Sequence, residues 1–142
     1  MAQTQEFKQS GHLNPELLDP RTRSLNAEKL IGRWLNTDPQ TTGISEIIIE
    51  EKGERFWVRI LGVGENRPIV WPVSEARPLA NLEEEAGQRA LALAATFHFD
   101  FMRAEAYLRV NKGVLVIVLF SLFQDGSGRS NYVNREFFHR QL

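Results

Sequence analysis

The chain has 142 residues, of which 42% are apolar and 25% charged, enough for one packed core and short for two. Lys+Arg 17 against Asp+Glu 18 leaves a net charge of -1, so there is no bulk field to hold nucleic acid or an anionic membrane. The absence of Cys excludes disulfides and thiolate metal sites, and the longest apolar stretch, Val114 to Phe120, is too short to span a bilayer as a helix.

Residues 1–24 are polar and punctuated by Gly11, Pro15 and Pro20, with a small apolar cluster at Leu13, Leu17 and Leu18. They are expected to form a flexible or wrapping arm, leaving 25–142 as a single domain. In the SLNAEKLI segment Asn26 is an N-cap candidate for a short helical turn that ends at Gly32. From Trp34 the pattern changes to short β-runs between turn signals. Ile44 to Glu51 and Arg55 to Leu61 flank Lys52-Gly53-Glu54, which predicts a hairpin with Gly53 supplying positive φ. If its turn is Lys52-Gly53, Arg59 lies opposite Glu46. Gly62, Gly64 and Pro68 break the chain before Ile69, Val70 and Trp71, and another short strand is expected between Ser74 and Ala80.

The acidic NLEEEAG segment, 81–87, is expected to be a solvated loop or a single helical turn. After it, Leu91, Leu93, Ala95, Phe97 and Phe99 recur with period two, and a turn near Asp100 leads to Arg103–Asn111. There Arg103, Glu105, Tyr107 and Arg109 share one face, with Ala104, Ala106, Leu108 and Val110 on the other. Asn111-Lys112-Gly113 and Asp125-Gly126-Ser127-Gly128 then turn the chain into two more strands, 114–123 and 129–140. The Gly-rich second turn matches neither the P-loop nor the dinucleotide fingerprint. About eight or nine strands joined by short turns predict an all-β, antiparallel up-and-down barrel, with a sandwich as the alternative.

Leu30-Ile31-Gly32-Arg33-Trp34 resembles the Gly-x-Trp opening of the lipocalin and fatty-acid-binding (calycin) proteins. The runs WLNTDPQTTGI and DGSGRSNYVNREFFHR are similar to bacterial lipocalin-like proteins of unknown function, and the likeness covers most of residues 28–140. The resemblance implies a lipocalin-like barrel in which Trp34 is closed over by a cation of the last strand, expected to be Arg135. It implies no activity, because the chain lacks the cysteines of the secreted lipocalins and the helical lid of the fatty-acid-binding proteins.

Candidate ligand contacts are Trp57 and Arg59 on one strand, Tyr107 and Arg109 on another, and His98 between Thr96 and Asp100. An inward Arg suits a ligand carboxylate, and 13 Arg against 4 Lys favours bidentate pairing; an outward Arg59 would instead pair across the hairpin. His98 with Asp100 and Tyr107 offers acid–base groups for an isomerase or cyclase, and a lone His can serve as an axial haem ligand. His12 and His139 lie near the termini, no paired His suggests zinc, and nothing else calls for a metal or cofactor.

Val114 to Phe123 is apolar on both faces, which calls for cover by residues 13–31 or by a second subunit in a homodimer. The first expectation is a barrel that binds a small, mostly apolar or carboxylate-bearing molecule. The alternatives are a barrel enzyme and a protein interaction module without a cavity. Without Cys or an apolar leader-like run at the start, a cytoplasmic setting is expected.

Overall fold

The computed structural model describes residues 27–80 and 90–142, so the expected arm, the Asn26 cap and the 81–87 loop lie outside the described residues. Nine strands follow in chain order: β1 (Gly32–Asn36), β2 (Ile44–Lys52), β3 (Arg55–Gly62), β4 (Ile69–Val70), β5 (Ser74–Ala80), β6 (Ala90–His98), β7 (Met102–Asn111), β8 (Val114–Phe123) and β9 (Tyr132–Arg140). All pairings are antiparallel. The order β2-β1-β9-β8-β7-β6-β5-β3 is completed by β2–β3, closing eight strands into a barrel, while β4 adds to the end of β3. Closure leaves no unpaired edge among those eight strands.

The turns carry the register. Lys52 pairs with Arg55, so the two-residue turn is Gly53-Glu54, with Gly53 at φ 65. Arg59 therefore lies opposite Ile48 and not Glu46. Glu46 instead accepts two hydrogen bonds from Arg33, from Nε at 2.7 Å and Nη2 at 3.0 Å, and Arg59 Nε stands 3.7 Å from Glu50. The β7–β8 turn places both Lys112 (φ 52) and Gly113 (φ 82) in the left-handed region, as a two-residue hairpin turn matched to strand twist requires.

Period two sorts the side chains. Trp34, Ile47 and Ile60 face one another across β1, β2 and β3 and are at most 1% exposed. Ala76, Ala95, Ala106, Leu119 and Asn134 form another inward row across β5 to β9. Small side chains on that wall are matched by the buried Phe56 and Phe97.

One end is sealed by the segment that leads into β1. Ala27 to Ile31 make a turn, with Leu30 N–H donating to Ala27 O at 2.8 Å, and there is no helix among the described residues. Ala27 and Leu30 are buried, and the Trp34 indole donates to Leu30 O at 3.0 Å. The cation over Trp34 is Arg140, whose guanidinium carbon lies 4.3 Å from the ring centroid. It donates to Ile31 O and, at 2.7 Å, to Lys29 O. Arg135, expected in this role, pairs with Val118 on the outer face and lies over Phe137 at 5.6 Å. The reason is parity: Arg140 is the direct partner of Trp34, and residues an odd number of places away on β9 point to the other side.

Candidate functional site

Of the residues singled out as ligand contacts, none faces the interior. Val58 and Ile60 are buried inward on β3, which turns Trp57 and Arg59 outward; Trp57 lies opposite Glu50 and Glu75. On β7 the inward Ala104, Ala106 and Leu108 leave Tyr107 and Arg109 half-buried on the outer surface. His98 is exposed, opposite Arg103, and Asp100 is exposed in the following turn. The structure does not gather His98, Asp100 and Tyr107 into one interior constellation, and no metal-binding cluster occurs among the described residues.

What the barrel does bring together lies at the end away from Trp34. On the β1, β2 and β9 side the inward positions turn polar: Asn36, Asn134 and Glu136, joined by Thr41 and Ile44. Glu136 Oε1 accepts from Asn36 Nδ2 at 2.9 Å, Thr41 Oγ1 at 3.3 Å and Ile44 N–H at 3.4 Å. Asn36 Nδ2 also donates to Ile44 O at 2.8 Å, so the 37–43 loop is folded onto the β9 carboxylate. The close packing extends to Gly43, where an added Cβ would stand 2.9 Å from Glu136 Oε2. Asn134 Nδ2 donates to Glu136 Oε2 at 3.2 Å.

Beside this group stand aromatic side chains, and a Cβ added at Gly62 would meet both Trp71 Nε1 at 3.2 Å and Gly43 O at 3.6 Å. Trp71, which follows β4, meets Phe97 and Phe99 edge-on at 5.4 and 5.1 Å. On the rim, Arg129 stacks over Phe123 at 4.3 Å and is tied to Asp125. The Asp125 carboxyl is held down at about 2, first by the Ser127 hydroxyl and backbone N–H and then by Arg129. The Gly-rich segment is thus a self-satisfied turn with its own internal anion.

Two inward atoms at this end have no hydrogen-bond partner among the described residues: Ser121 Oγ and Asn134 Oδ1. Ser121 is 1% exposed, and it lies diagonally across from Asn134, since Ser121 pairs with Tyr132 and Leu119 with Asn134. Leaving such a group buried without a partner costs about 1–3 kcal/mol. By contrast the other buried hydroxyl, Ser74, donates to Thr96 O at 2.8 Å. A shallow depression of about 640 Å³ between Gly64 and Val70 is formed by one loop alone.

The sequence held one signal for this site. Along β9 the even residues run Tyr132, Asn134, Glu136, Phe138, Arg140, a polar-centred face that period two already separates from Val133, Arg135, Phe137 and His139. Those outer residues are the more apolar set, which makes the polar face the unexpected one to point inward.

Neither a family model, nor a curated protein, nor a solved structure matches this chain. The site therefore rests on its own geometry. No helix among the described residues is long and apolar enough to cross a membrane.

Proposed function

We propose that the chain is a calycin-like, cytoplasmic binding barrel for a small, mostly apolar molecule, received at the end bounded by the 37–43 loop, Trp71 and Phe99. The observation that carries this reading is the pair Ser121 Oγ and Asn134 Oδ1, buried polar atoms on inward positions of β8 and β9 without hydrogen-bond partners among the described residues. Binding sites of this kind are mostly apolar with a few fixed polar groups, and the small side chains Ala95, Ala104 and Ala106 keep the neighbouring wall thin. Closed barrels of about eight strands have an interior that side chains just fill or that holds one small ligand.

The neutral fluorophore N-phenyl-1-naphthylamine tests this. It is expected to brighten on addition of the protein, with a Kd of roughly micromolar order, equivalent to about −8 kcal/mol. Quenching of tryptophan emission should fall sharply in Trp71→Phe and remain in Trp57→Phe, because Trp57 is outside. Absence of any response in the folded protein sinks the reading.

A second reading rests on the outer face of β8 and β9. Phe120 is 45%, Val133 58% and Phe137 42% exposed, and Val133 lies directly opposite Phe120. An apolar row of this kind favours association, and we infer a two-fold homodimer through it. Light scattering is expected to give twice the chain mass, and Phe120→Glu the single mass; a wild-type monomer at high concentration removes this inference.

A further inference from the structure

The polar end of the barrel is one-sided in its hydrogen bonding, and this bears on the ligand's chemistry. The Asn134 amide is oriented by its own donation to Glu136 Oε2, so the atom left toward the interior is the carbonyl oxygen, which can only accept. Glu136 is surrounded by neutral donors, Asn36, Thr41, Ile44 N–H and Asn134, and no ion pair reaches it among the described residues. The cations at the two ends of β9 are committed elsewhere: Arg140, its last residue, closes the opposite end on the Ile31 and Lys29 carbonyls, and Arg129, ahead of the strand, is bound to Asp125 on the rim. Arg59 and Arg109, the side chains a carboxylate ligand would need, lie outside the wall.

From this, and resting on the binding reading above, we propose that the ligand presents a cationic donor head, an ammonium or similar group on an apolar body. Its N–H groups would meet Asn134 Oδ1 and Glu136 Oε2, acceptors on successive inward positions of β9, with Ser121 Oγ one inward position beyond Asn134 on β8. A carboxylate at the same place would face a like charge and an amide oxygen with only the Ser121 hydroxyl to donate. A hydrogen bond to a charged partner is the stronger kind, and a negative group in a sheltered site without a counter-charge selects for a cation.

The test is competition for bound N-phenyl-1-naphthylamine on the full chain at neutral pH by three amphiphiles of equal chain length: decylamine, decanol and decanoate, each below its micellar concentration. Decylamine is expected to displace the probe at about tenfold lower concentration than decanoate, with decanol between them. In Glu136→Gln the preference for decylamine over decanoate should shrink to about threefold or less. Decanoate competing as well as decylamine in the wild type overturns the head-group assignment while leaving the binding barrel intact. Failure of the probe to bind at all overturns both. The wild-type ratio decides the matter by itself should Glu136→Gln not fold.

Discussion

Trp34→Ala is expected to destabilise the barrel by about 3–5 kcal/mol, the range for removing a large buried aromatic. Trp34 is 1% exposed, faces Ile47 and Ile60 in one row, donates to Leu30 O and carries Arg140 on its ring. Its loss opens a cavity at the sealed end and strips the Ala27–Ile31 turn of the indole that holds it. Arg140→Met should cost less, about 1–3 kcal/mol, through the lost cation–π contact and the carbonyls of Ile31 and Lys29 left without their donor. Arg135→Met, on the outer face, should change stability by less than about 0.5 kcal/mol. Urea denaturation of the three variants checks the ordering. Arg135→Met falling below Arg140→Met would show that the closure has been assigned to the wrong arginine.

The second large effect is expected at Gly32. Its φ of 142 lies in a region that side chains rarely adopt, and a Cβ there would stand against the Arg140 guanidinium. Gly32→Ala therefore combines backbone strain of about 1–3 kcal/mol with displacement of the cation that closes the barrel. We expect a total loss of about 2–4 kcal/mol, read as a lower denaturation midpoint. The two contributions separate in a double-mutant cycle with Arg140→Ala. Once the guanidinium is gone only the strain remains, so the double variant should be more stable than the sum of the single losses implies. Strict additivity would show that Gly32 and Arg140 do not act on one another.

Much of this architecture is legible in the residues. The alternation of Ala104, Ala106 and Leu108 against Arg103, Glu105, Tyr107 and Arg109 marks β7 without ambiguity, and Asn111-Lys112-Gly113 marks its turn into β8. Both sides of β3 carry large apolar residues, however, Trp57 and Leu61 beside Arg55 and Arg59 on one and Phe56, Val58 and Ile60 on the other, so the strand by itself leaves room for an inward Trp57 and Arg59 until the sheet closes. The placement of Arg59 turned on a one-residue slip of the turn, from Lys52-Gly53 to Gly53-Glu54, which moves the pairing by two residues and so preserves the face of every residue and changes every partner. Glu136 is not legible as a site residue because a carboxylate in a strand is ordinarily an outward residue; only the fold of the 37–43 loop over it supplies the donors that make an inward position tolerable.

Local sequence thus determined the strands, most of their turns and the division of each into two faces, because pleat and turn chemistry act over a few neighbouring residues. Which face became the interior, which arginine met Trp34 and where the unpaired acceptors gathered were decided by ring closure. Those outcomes depend on registers between strands as far apart in the chain as β1 and β9, and no short-range pattern encodes them.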